Sequence, residues 1–232
     1  MIPISDDNPV RITPFVSWLL VLGCCAAFAW ELSLGDQMDA VLDRIAFVPA
    51  HGVTATGVPV LTKAALISIV VSMFLHGGWL HLGGNMLYLW IFGNNIEDAM
   101  GHVKYALFYF ICGFAAAYAM AYMDPTSQIP MVGASGAISG ALAAYVLLYP
   151  RARINVIVPL GIIFYPFKIS AVWVVGFWFI LQLLSAAMSD ASQPGVAWWA
   201  HVGGFVAGLV LTPLLKSRYV PLFGRVRRGP WT

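Results

Sequence analysis

A serine, two histidines and an asparagine sit in apolar stretches of this chain, in three short motifs. They are His81-x-x-x-Asn85, Ser135 within Gly133-Ala134-Ser135-Gly136, and His201 within Ala200-His201-Val202-Gly203-Gly204. Polar groups in apolar spans are costly to keep, so each is a functional candidate by default. A serine becomes a nucleophile when an adjacent base takes its proton, and His201 is able to do that for Ser135. His81 and Asn85 are four residues apart and share one helix face, from which two donors can serve one developing negative charge. Ser135 has glycines two before and one after it, which permit a tight turn and close backbone approach. Its own N–H, at a helix start, is a further donor. The spans hold no Asp or Glu apart from Glu31, near the end of the first. The pattern therefore reads as a Ser–His dyad.

Hydrophobic residues make up 60% of the chain and charged ones 9%, against about 25% charged in a soluble domain. That balance predicts an all-α polytopic membrane protein. Six runs are long enough, or nearly so, for about 30 Å of hydrocarbon: 15–32, 80–96, 105–122, 135–149, 167–188 and 198–215. A seventh, 64–75, is short and reads as interfacial or re-entrant. With the N-terminus inside, Arg11, Lys104, Arg151, Arg153, Lys168, Lys216, Arg218, Arg225, Arg227 and Arg228 fall on the cytoplasmic side. Only Arg44 and Lys63 stay outside. A spanning 64–75 would reverse most of that bias. The first run also faintly resembles an export signal, but Asp6 and Asp7 precede it where a basic segment belongs.

The expected divisions are a cytoplasmic segment at 1–14, a membrane domain at 15–216 and a basic cytoplasmic tail at 217–232. The connections 97–104 and 150–166 read as short inside loops, and 33–79 as a long, partly apolar outer one. Every candidate group then lies near the outer start of an even-numbered span. From Ser135 to Tyr149 the helix covers about 22 Å, so Ser135 lies roughly 8 Å below the outer surface. Loop backbone at that depth requires protein or a water-filled cavity around it.

The remaining polar groups read differently. His76 is off the face of His81 and reads as structural or interfacial; His51 and His102 read as solvated loop residues. Gly136-x-x-x-Gly140 and Gly204-x-x-x-Gly208 read as helix-packing faces. The aromatic fifth span reads as a lipid-facing or packing surface, and a loosely held helix there, beside the pocket, could serve as a gate. Cys24, Cys25 and Cys112 read as small hydrophobes. No His-Glu-x-x-His motif and no intramembrane aspartate pair argue for a metallo- or aspartyl mechanism. A transporter would show charged or broken mid-membrane helices or inverted repeats.

Together the three motifs resemble those of bacterial rhomboids, intramembrane serine proteases, over residues 62–215. The segment 92–98 is similar to the family's turn after its second helix. The resemblance implies Ser135 as nucleophile and His201 as general base and acid. It implies an oxyanion site of His81, Asn85 and the Ser135 N–H, with no cofactor or metal. It also implies single-pass membrane proteins as substrates, cut near the extracytoplasmic face, and the lipid bilayer as surroundings; nucleic acid is not expected. The first outer loop would be the family's membrane-embedded L1 element, the fifth span its lateral gate, and the location a bacterial inner membrane. Two departures stand out. The loop lacks the Trp-Arg pair of many relatives, and Ser139 stands where some carry an aromatic against the histidine ring. A catalytically silent relative that binds membrane helices is the alternative.

Overall fold

A computed structural model describes residues 2–160, 163–188 and 196–224. In chain order the elements are β1 (Ile2–Asp6), α1 (Phe15–Ser33), α2 (Met38–Ile45), α3 (Lys63–Ser72), α4 (Trp79–Tyr88), a π-helical turn (Leu89–Gly93), α5 (Asn94–Met100), α6 (His102–Met123), α7 (Ser135–Leu148), β2 (Arg153–Leu160), β3 (Ile163–Ser170), α8 (Ala171–Met188) and α9 (Trp198–Leu215). The fold is predominantly helical. Four helices, α1, α6, α8 and α9, are each long and apolar enough to cross a membrane. Helix α7 has 14 residues, and α4 continues through the π turn into α5.

The end of that continuous run differs from the sequence reading. Residues 97–100 are helical, not loop, and Gly101 alone makes the turn, at φ 80. His102 opens α6 instead of lying in a loop, and its Nδ1 is 2.6 Å from the Glu97 carboxylate. Glu97 is fully buried because it also caps α1. Its oxygens accept from the Val16 N–H at 2.9 Å, the Ser17 N–H at 2.8 Å and the Ser17 hydroxyl at 2.8 Å. An N-terminal turn has unsatisfied donors, and a carboxylate from a neighbouring helix supplies what Pro14 cannot.

The connection at 150–166 is likewise structured. β2 and β3 form an antiparallel hairpin, and β1 adds to β2 in the order β1-β2-β3. Period-two alternation explains β2: Ile154 and Val156 are buried on one face while Arg153 points away. β3 runs directly into α8, so the fifth helix starts at Ala171 and not at Phe167.

Helix α7 is the centre of the bundle and is buried from Gly136 through Tyr145. Small residues let α9 lie against it. A Cβ on Gly204 would overlap the Gly136 carbonyl, and one on Gly208 would overlap that of Gly140. Helix α3, ten residues or about 15 Å long, reaches only half-way through a bilayer core. Its last residue, Ser72, joins two connections. Its hydroxyl accepts from the Phe47 N–H at 2.7 Å and its carbonyl from the Gly133 N–H at 2.9 Å. The loop before Ser135 is thereby tied to the long connection after α1. Helix α8 is, with α1, the least buried of the long helices: Trp173, Phe177, Ile180 and Leu184 all face outward.

Candidate active site

Three helices deliver polar side chains from their first two turns to one end of the bundle. Ser135 is the first residue of α7, His201 the fourth of α9, and His81 and Asn85 lie in α4. The Ser135 hydroxyl is 2.7 Å from His201 Nε2. The close α7–α9 crossing at Gly136 and Gly204 sets this distance, because a bulkier pair of residues would separate the two helices.

His201 is 7% exposed, and its other nitrogen, Nδ1, lies 2.6 Å from Gln182 Oε1. The Gln182 amide donates through Nε2 to the Trp178 carbonyl at 3.2 Å, so its oxygen is the atom that faces the histidine. An amide oxygen can only accept. Nδ1 therefore carries the proton, and the lone pair of Nε2 faces the Ser135 hydroxyl. Trp178 and Trp198 flank the ring, with centroids at 5.9 and 6.0 Å. Gln182 and the two tryptophans occupy the role left open by Ser139. That serine is buried, and its hydroxyl donates back to the Ser135 carbonyl at 2.6 Å.

Glu31 is not available to orient His201. Both its oxygens accept from the His76 N–H, at 3.0 and 3.2 Å. His76 is buried, its Nδ1 is 3.0 Å from the Phe74 carbonyl, and its ring lies 5.2 Å from that of His81. His51 is exposed at the end of a short turn.

Gly133 brings the α4 pair up to the serine. Its φ of 118 is open to glycine and strained for other residues. A Cβ there would sit 2.6 Å from His81 Nε2 and 3.5 Å from Asn85 Nδ2. Both side chains thus lie against the backbone two residues before Ser135. Asn85 is 7% exposed, and its Nδ2 has no hydrogen-bond partner among the described residues. A buried, unpaired amide donor costs about 1–3 kcal/mol, and such a group is found where a ligand supplies the acceptor. A cavity of about 1140 Å³ joins His81, Asn85, Ser135, Gln182 and His201, and Asp39 and Asp124 lie at its edge. The cavity has room for a peptide segment and for water beside the serine.

Gln182 is the residue that sequence reasoning missed. A polar amide in the apolar, aromatic run 171–188 was a visible signal, since such a group rarely lies in a span without a partner. It has no fixed spacing to any of the three motifs, which is why pattern alone did not find it.

The rhomboid domain model matches residues 63–218, which include all four predicted site residues and Gln182. Among similar proteins, RHOMBOID-like protein 5 of Arabidopsis thaliana is 28% identical over 94% of this chain and 74% of its own length. Rhomboid protease AarA of Providencia stuartii is 31% identical over 61% of this chain and 53% of its own. Rhomboid-type serine protease 2 of Emericella nidulans is 34% identical, over 61% of this chain and 25% of its own. The chain thus spans three quarters of the first and about half or less of the other two. Plants, fungi and a bacterium are all represented, so the likeness reaches the family without singling out its bacterial members. With a domain match over most of its length and several helices fit to cross a bilayer, this multi-pass membrane chain belongs to the rhomboid family.

Proposed function

We propose that the protein is an intramembrane serine endopeptidase that cleaves membrane-spanning protein substrates with a Ser135–His201 dyad. The observation that carries this reading is the 2.7 Å contact between the Ser135 hydroxyl and His201 Nε2 inside an open cavity. Ser135 Oγ attacks the scissile carbonyl carbon while His201 Nε2 takes its proton. The carbonyl oxygen becomes an oxyanion, stabilised by Asn85 Nδ2, His81 and the Ser135 N–H. Collapse of that intermediate breaks the C–N bond, and His201 returns the proton to the leaving amine. A water entering the cavity then hydrolyses the acyl-enzyme by the same sequence, with His201 again as base. Gln182 holds the imidazole in the tautomer this cycle needs and accepts a hydrogen bond from the imidazolium.

The chain crosses the membrane six times in this reading, by α1, the α4–α5 run, α6, α7, α8 and α9. Both termini lie on the cytoplasmic side, and the cavity opens on the other. Helix α3 and the connection around it lie in the outer interface, and α8 serves as the side entrance for substrate. The membrane is a bacterial inner membrane. The names of AarA and the Emericella protein as proteases support the activity. A silent relative would be expected to have lost the serine or the histidine, and both are present and in contact.

The test is cleavage of a single-pass membrane protein in proteoliposomes, with the cut mapped by mass spectrometry. A cut near the outer end of the substrate helix, absent with Ser135→Ala, is the expected result. Intact substrate from folded wild type, across a panel of such proteins, would overturn the assignment in favour of a binding role.

A further inference from the structure

At the end of the bundle away from the catalytic cavity, the 150–153 segment that follows α7, the end of β3 and the first turn of α8 frame a second cleft, of about 600 Å³. Arg151, Arg153, Ser170, Trp173 and Phe223 line it. Two features mark it as built for a ligand. The first is unspent positive charge. The Arg153 guanidinium donates to the Lys168 carbonyl at 3.4 Å, and the nearby Asp7 carboxylate is taken by the Arg153 main-chain N–H at 2.7 Å. Among the described residues neither guanidinium forms an ion pair with a carboxylate. The helix end itself adds little, because the Ala171 and Val172 N–H groups already donate to the Ala152 and Pro150 carbonyls. The second is an exposed aromatic wall. Trp173 is 72% exposed on the first turn of an apolar helix. Phe223 is 62% exposed and held at φ 54, a left-handed conformation that a bulky residue rarely adopts. Its N–H donates to the Leu147 carbonyl at 2.8 Å, which anchors the strained residue to the end of α7.

Guanidinium forks match phosphate oxygens in pairs, and aromatic side chains at a helix end sit at headgroup level in a bilayer. Basic pockets beside membrane helices bind anionic headgroups on this chemistry. We propose that the cleft between the 150–153 segment and the start of α8 is a binding site for the phosphodiester headgroup of an anionic phospholipid. Arg151 and Arg153 hold the phosphate, Ser170 donates to it, and Trp173 and Phe223 flank the glycerol and the first carbons of the chains. A lipid bound there joins the base of α8 to the 150–153 segment and to Phe223. The proposal is independent of the protease reading, since it concerns binding at the opposite end of the bundle.

The test is lipid retention by the purified protein, measured by mass spectrometry after exchange in nanodiscs of equal phosphatidylglycerol and phosphatidylcholine. Wild type should retain phosphatidylglycerol preferentially. Each arginine contributes about five-fold, so Arg151→Gln/Arg153→Gln should lower the preference by about 25-fold. Arg44→Gln/Lys63→Gln, which removes the same charge at residues outside the cleft, should leave it intact. Equal preference in wild type and the double variant would overturn the proposal. Displacement of the lipid by excess inorganic phosphate would reassign the cleft to a soluble anion and also overturn it. If the double variant does not fold, Trp173→Ala carries the test: phosphatidylglycerol retention should fall several-fold, and unchanged retention would again refute the site.

Discussion

His201 has two neighbours that divide its work: Ser135 on Nε2 and Gln182 on Nδ1. A neutral amide fixes the tautomer as a carboxylate would, but it stabilises the imidazolium by a hydrogen bond alone. Gln182→Ala removes that bond and leaves a buried donor unpaired. The loss of about 1–2 kcal/mol corresponds to a kcat about ten-fold lower. KM should stay near wild type, because Gln182 orients the base in place of gripping the substrate. Steady-state kinetics on a reconstituted substrate separates the two constants, and a rise in KM at unchanged kcat would contradict the positioning role. Asn85→Ala should slow acylation by about 10²–10³, as expected for one oxyanion donor, without lowering the unfolding temperature, since the amide donor removed is unpaired among the described residues. The grouping of Ser135, His201, His81 and Asn85 in the candidate site was legible in the sequence because each falls near the start of an apolar run on the same predicted side. Gln182 was not, because its relation to His201 exists only after α8 has packed beside α9.

The α7–α9 crossing turns sequence into geometry. Gly136, Gly140, Gly204 and Gly208 let two backbones approach closely enough for a helix-initial serine to meet a histidine one turn into its neighbour. Gly204→Val forces the helices apart, and overpacking of this kind costs about 1–3 kcal/mol. Both the unfolding temperature in detergent and the Ser135 reactivity should fall together, which differential scanning fluorimetry and probe labelling read in parallel. The packing glycines were readable from their four-residue spacing. The β2–β3 hairpin was not, for a physical reason: 163–170 continues without a break into the apolar run of α8. A strand and a helix of similar hydrophobicity merge in such a pattern, and only the alternation Arg153-Ile154-Asn155-Val156 hinted at the strand. Similarly, a single glycine at φ 80 sufficed for the α5–α6 turn, where a longer loop was expected.

Across the molecule, the end opposite the cavity is joined by buried polar contacts. Asp6 of β1 accepts from the Asn95 side chain at 2.9 Å and from the Tyr145 hydroxyl, so the first strand is tied to both the α4–α5 run and α7. Burial pushes the Asp6 carboxyl up from the usual aspartate range to about 6, with the Asp7 charge adding to the effect and the Tyr145 hydrogen bond opposing it. The sign follows by linkage. Between about pH 4 and 6 the folded chain holds a proton that the unfolded chain has released, so stability falls as pH rises through that window. The fold is favoured by neutral Asp6 at the low end, and the cost of its charge is complete above the window. Asp6→Asn should flatten this slope in unfolding temperatures recorded from pH 4 to 7; an identical slope in the variant would show that another group is responsible. None of this was legible in the sequence, where Asp6 and Asp7 told only against an export signal ahead of the first span.

The most direct measurement is labelling of the purified protein by a fluorophosphonate probe in liposomes, comparing wild type with Ser135→Ala and His201→Ala. An activated serine supported by its histidine requires strong labelling of wild type, none of Ser135→Ala and a loss of at least 10²-fold with His201→Ala, all three being equally folded. Labelling that persists in Ser135→Ala, or its absence from folded wild type, would contradict the dyad.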